Sequence, residues 1–174
     1  MEEVTRLALR ITLPVIAVFA VPHALLWGIG SLLEPLGRLL TYALLLPVLA
    51  VSIVIHEGLH GVGFWLFGRA PLRAIAFGMK WEYLTPYAHC RVPIRARGYR
   101  IAVLLPGLIT GVLPALAGIG TGIGWLTLYG ILMTTAALGD VLVCWAIRHV
   151  PPQARVVDHP SEAGCLVLRE EDNA

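Results

Sequence analysis

His56, Glu57 and His60 stand together as HEGLH inside VSIVIHEGLHGVGFWLF (residues 51–67), a stretch that is otherwise almost wholly apolar. On a helix, two imidazoles at i and i+4 project from one face a turn apart, so both can take the same zinc ion. A glutamate beside the first of them can serve as general base toward the water that zinc makes acidic. Ionisable groups are costly inside an apolar span, so their presence there points to function. The plain alternative is that the two histidines only hydrogen-bond neighbouring helices, with Glu57 protonated or paired.

A catalytic zinc takes three protein ligands and keeps one position open, so a third ligand is needed. Asp140, in TTAALGDVLVCW, is a carboxylate inside another apolar run. Its depth can be compared with that of the histidines. His60 stands nine residues before Arg69 and Asp140 eight before Arg148, which is roughly 14 Å and 12 Å of helix rise. Gly58, Gly61 and Gly63 on one run, and Ala136, Ala137 and Gly139 on the other, would let the two backbones approach closely. The other candidates are weaker. His23 follows Pro22 and reads as a partner for a carbonyl that the proline frees. Cys144 shares a helical face with Asp140 but reads as a small packed residue. His89, Cys90 and His159 fall in polar segments. Asp140 is the expected third ligand.

The elements that must carry these residues are membrane spans. Only 14% of the chain is charged and 57% is hydrophobic, against about 25% charged in ordinary soluble domains. Residues 101–139 hold no Asp, Glu, Lys or Arg, which supplies one span and most of a second. A soluble chain of 174 residues could hardly enclose that much apolar surface. The expected fold is an all-α polytopic membrane protein with about four transmembrane helices, over 11–33, 39–67, 99–119 and 125–147. Pro14, Pro22, Pro47, Pro106 and Pro114 fall inside these spans, where neighbouring helices can satisfy the carbonyls they free. GIGTGIG (118–124) reads as the turn between the last two. Glu2 and Glu3 spoil a basic n-region and no A-x-A site follows the first span, so it is expected to be retained.

Arg69, Arg73, Lys80, Arg91, Arg95, Arg97 and Arg100 crowd around the loop between the second and third spans, whereas the loop between the first two offers only Arg38 beside Glu34. Positive residues stay inside, so both termini and the basic loop are expected in the cytoplasm of an integral, multi-pass cell-membrane protein. A net charge of +2 does not suggest nucleic acid. The arginines read instead as a topology signal and a contact for the anionic headgroups of the bilayer. Cys90, Cys144 and Cys165 are too scattered for a disulfide framework or a CxxC knuckle. Within the loop (70–97), LRAIAFGMKWEYLTPYAHCRVPI reads as one or two β-hairpins, a small cytoplasmic insertion. Residues 1–150 are expected to form a single transmembrane domain, and 151–174 a polar cytoplasmic tail with one short strand at GCLVL.

HEGLH in a second span, YAHCRVPI in a basic loop, GYRIAVLLPG opening the next span, ALGD in the last and VVDHPSEAG in the tail resemble the zincin peptidase family of small prokaryotic membrane proteins. The resemblance covers about residues 45–165. That family is in turn similar to the site-2-type intramembrane zinc metalloproteases. The likeness implies a zinc metallopeptidase of HExxH type, with His56, His60 and Asp140 as ligands and Glu57 as base. Its substrate would be a membrane protein or peptide, cleaved at or within the membrane. One departure stands out. Site-2 proteases follow their aspartate with glycine and carry a nearby asparagine that helps to hold the substrate carbonyl. Here Gly139 precedes Asp140 and the only asparagine is Asn173. His89, Tyr83 or Tyr87 could take that role. Ile75 and Ala76 open a strand-forming segment that could present an edge to an unwound substrate. A non-proteolytic protein using the same residues to bind zinc structurally or relay ions is the competing reading, and dependence on Glu57 separates the two.

Overall fold

The computed structural model describes residues 2–81, 85–160 and 164–168. It is mostly helical, with two small antiparallel sheets. Four helical stretches among the described residues, Arg10–Trp27, Ala43–Leu66, Ala96–Thr121 and Gly124–Ala146, are long and apolar enough to cross a membrane. They suggest a membrane protein, and each overlaps one of the expected spans. The chain divides into two compact units, one made of Met1–Ser52 and Gly107–Gly139, the other of Ile53–Pro106 and Asp140–Ala174.

The first unit holds α1 (Glu2–Trp27), α2 (Ile29–Leu33), α5 (Leu113–Thr121), α6 (Gly124–Ala136) and the start of α3 (Leu39–Leu66). The expected first span is not one helix: Gly28, at φ 81°, separates α1 from α2. A lone glycine in an apolar run gives no sign in advance whether its freedom at positive φ will be used. Between α5 and α6 the glycine-rich turn is where the sequence puts it, with Gly122 left-handed at φ 75°. Pro106 ends α4 (Ala96–Pro106), and a π-helical stretch, Gly107–Val112, follows before α5. Pro114 withholds the donor that Thr110 would meet in an α-helix, and its ring crowds the same carbonyl. A wider turn accommodates both effects. Phe19, Ala115 and Ile131 form the buried core of this unit. His23 is fully buried there with a partner on each ring nitrogen. The Ser31 hydroxyl donates to the Gly28 carbonyl at 2.7 Å, so His23 Nε2–H must donate to Ser31 Oγ, 3.0 Å away. The Thr127 hydroxyl then donates to Nδ1 at 2.8 Å. His23 is thus tied to two hydroxyls rather than to a carbonyl freed by Pro22.

The second unit holds the remainder of α3, then β1 (Ile75–Lys80), β2 (Thr85–Cys90), β3 (Ile94–Arg95), α4, α7 (Leu138–Ala146), β4 (Arg155–Asp158) and β5 (Cys165–Val167). β1 and β2 make one antiparallel hairpin, with Ile75 opposite Cys90 and Met79 opposite Pro86. The second sheet runs β3–β4–β5, with Ile94 opposite Val156 and Asp158 opposite Cys165. β5 is the strand expected at GCLVL; β4 was not expected. Phe64, Cys90, Ile94, Tyr99, Ala102, Ile147 and Val156 belong to one buried cluster that joins helices and sheets. Arg100, counted among the topology charges, donates to the Ile147 and Val150 carbonyls and fastens the end of α7 to α4.

Candidate metal centre

Three helices (α3, α4 and α7) and three strands (β1, β2 and β4) of the second unit bring the site together. Helical periodicity turns His56 and His60 to one face of α3, where their rings meet edge to face with centroids 4.9 Å apart. Asp140 projects from α7, and its Oδ2 lies 3.2 Å from His56 Nε2 and 3.6 Å from His60 Nε2. The three side chains are only 13%, 11% and 23% exposed. They are sheltered, and His60 and Asp140 line the cleft beside them.

Tautomer and orientation are set from behind. The carbonyl of Ala102 on α4 lies 3.2 Å from His60 Nδ1. A carbonyl can only accept, so Nδ1 carries the proton and the lone pair of Nε2 is turned toward Asp140. Phe64 stacks on the His60 ring at 6.4 Å, and Tyr99 tilts against Phe64 in turn. The ligand atoms of His56, Glu57 and His60 all fall within 4.8 Å of one another. The Glu57 carboxylate accepts the backbone N–H of Ala88 on β2, a bond that fixes the hairpin beside the helix. Phe77 of β1 lies over Gly61 so closely that a Cβ there would come within 2.4 Å of its ring. Two imidazole nitrogens and a carboxylate oxygen meeting at such distances are a donor set of the kind zinc takes. The site fits that ion.

The cleft at this site encloses about 660 Å³ and is bordered by Glu57, His60, Asp140, Ala76, His89 and Asp158, among others. Ala76 and His89 face each other across the hairpin. Ile75 instead packs against the buried cluster around Phe64, and its backbone N–H is taken by Leu72. An added strand would therefore find its outward donors on β1 from Phe77 onward. Tyr87 also borders the cleft, but its hydroxyl lies over Gly78. Tyr83 and Asn173 lie outside the described residues. The Cys144 thiol is directed at the Arg100 carbonyl, 3.6 Å away, and that of Cys90 at the Val92 carbonyl. His159 borders the same cleft.

Asp158, at the end of β4, is the residue that the sequence did not single out. Its Oδ2 accepts the Cys90 backbone N–H at 2.7 Å and lies 3.8 Å from His89 Nδ1, and its carboxylate also accepts the Tyr99 hydroxyl. Burial pushes its carboxyl above the ordinary range, and these donors pull against that rise. VVDHP does combine strand formers with a His-Pro turn, but nothing in it says which strand it will join.

No curated protein and no solved structure matches the chain. Residues 49–155 match the family described as "Putative zincin peptidase", a stretch that contains HEGLH, the hairpin and Asp140. The match and the His–Glu–His group both fit a zinc metallopeptidase. With more than half of its length covered, the chain belongs to that family of zincin peptidases.

Proposed function

We propose that this protein is a membrane-embedded zinc metallopeptidase of site-2 type that hydrolyses peptide bonds of membrane proteins or peptides at or within the bilayer. The observation that carries the reading is the approach of Asp140 Oδ2 to both His56 Nε2 and His60 Nε2, at 3.2 Å and 3.6 Å, inside helices apolar enough to span a membrane. His56, His60 and Asp140 would hold the ion, and zinc, when bound, polarises a carbonyl and makes a water acidic.

Glu57 does the proton work. It removes a proton from the attacking water as the water oxygen bonds to the carbonyl carbon, then gives that proton to the amine nitrogen as the C–N bond breaks. Its hydrogen bond from Ala88 holds the carboxylate in place for both transfers. Both termini and the basic loop face the cytoplasm in this reading. A purely structural zinc site would need no base beside the ligands, so Glu57→Gln is the decisive variant. It should keep its zinc and lose cleavage of a membrane-peptide substrate by about a hundredfold or more. Undiminished cleavage by Glu57→Gln protein would remove the mechanism.

A further inference from the structure

His89 and Asp158 form a second pair of ionisable groups on the cleft that holds Glu57 and Asp140. Nothing in the hydrolytic scheme above uses them. Their surroundings are built rather than incidental. Asp158, only 11% exposed, gathers the Cys90 N–H, the Tyr99 hydroxyl and the Nδ1 side of His89. His89 is 24% exposed and sits one residue beyond Ala88, whose N–H holds Glu57. Nδ1 faces that carboxylate, so Nε2 is the ring nitrogen left for the cleft, and on the doubly protonated ring it is a donor.

Resting on the peptidase reading, we infer that His89 is a catalytic residue donating Nε2–H to the carbonyl oxygen of the scissile peptide, and that Asp158 is the positioning residue that orients its ring. The need for such a donor follows from the chemistry. As the water oxygen bonds to the carbonyl carbon, the C=O π pair moves onto oxygen; when that pair re-forms the double bond, the C–N bond breaks and its electrons leave with the amine, which takes the proton from Glu57. A fixed donor aimed at the transient oxyanion stabilises it. The side-chain amides that often do this are scarce, since the chain has only Asn173 and Gln153. Other donors around the cleft are less suited. The Tyr99 hydroxyl is given to Asp158, the Tyr87 hydroxyl covers Gly78, and Arg91 is exposed. In these steps His89 supplies only a hydrogen bond and gives up no proton.

The test compares two ligands on the zinc-loaded protein: a phosphinic peptide, whose tetrahedral anionic phosphorus imitates the intermediate, and the amide peptide of the same sequence on a Glu57→Gln background. His89→Ala should weaken phosphinate binding on the order of a hundredfold while zinc content and amide-peptide affinity stay at parental values. His89→Gln, which restores an N–H, should recover part of the loss. Asp158→Asn should give a smaller loss that does not add to that of His89→Ala, as expected for residues acting as one unit. His159→Ala, on the same cleft, should bind phosphinate as the parent does. Parental phosphinate affinity in His89→Ala overturns the assignment alone, and so does equal loss of both ligands. A parent that binds zinc but neither peptide overturns the peptidase reading and the assignment together.

Discussion

Gly63 and Ala102 meet backbone to backbone: a Cβ on Gly63 would lie 2.6 Å from Ala102 Cα. The same Ala102 lends its carbonyl to His60 Nδ1. The missing side chain on α3 therefore lets α4 come close enough to orient His60, a proposed zinc ligand. Gly63→Ala should push the helices apart at a cost of about 1–3 kcal/mol. It should also weaken zinc binding although no ligand is altered. Thermal unfolding and zinc titration of the same sample check both effects, and unchanged zinc affinity in a destabilised variant would separate packing from the site.

Zinc content tests the ligand set directly. Purified protein should hold about one zinc per chain, and His56→Ala, His60→Ala and Asp140→Ala should each lose most of it. Full occupancy in the double histidine variant would mean that the metal sits elsewhere.

The hairpin offers a test of substrate grip. Arg91 N–H donates to the Ala74 carbonyl at 2.9 Å, and antiparallel pairs alternate. Continued along the register, this turns the N–H of Ala76 toward β2 and those of Phe77 and Met79 outward. The outward donors of β2, on Ala88 and Cys90, already serve Glu57 and Asp158. Met79 lies opposite Pro86, where the pairing already tolerates a proline. Met79→Pro should thus spare the hairpin and remove one outward donor. If an unwound substrate adds to this edge, cleavage should fall while zinc content holds. A parental rate would make the hairpin a cover rather than a grip.

Orientation can be read with reporters. Fusions after Ala174 and near Lys80 should both report cytoplasm, and one near Glu34 the opposite side. Disagreement between the first two would imply an odd number of crossings between them.

Asp158 gives a pH signature. Its carboxyl is raised in the folded protein, chiefly by burial. The protonated form is therefore favoured by folding, and its contribution is fully present below the unfolded carboxylate range. That contribution is lost as pH rises through the higher folded value. Relative to Asp158→Asn, the parent should lose thermal stability across that window and be parallel to the variant outside it. A constant difference at every pH would contradict a buried carboxyl raised by folding.

The residues proposed as ligands stand out in the sequence because both signals are local. HEGLH carries its geometry in a helical repeat, and Asp140 stands out as a carboxylate in an apolar run. The four helices long and apolar enough to cross a membrane were legible for the same reason: a bilayer demands length and apolarity from every crossing. What stayed hidden depends on pairing over distance. Asp158 reaches the cleft through the register of Ile94 with Val156, and no short pattern encodes which strand β4 will meet. The groups that orient His60 and Glu57 are a carbonyl of Ala102 and an N–H of Ala88. Every residue carries such groups, so side-chain identity cannot mark them. Gly28 was hidden differently, because one glycine can either continue a helix or break it.

The placing of Asp140 and β4 so far along the chain also sets an order in time. His56 and Asp140 are 84 positions apart, so a ribosome working at about 5–20 residues per second makes the helix that bears HEGLH roughly 4–17 seconds before it adds Asp140. β4 and Asp158 arrive later still. Throughout that interval the nascent chain displays two histidines and a glutamate without Asp140 or the strand that steadies the hairpin. In the proposed reading the reactive centre is completed by its last-made parts, so it cannot cut while the chain is still being threaded into the membrane.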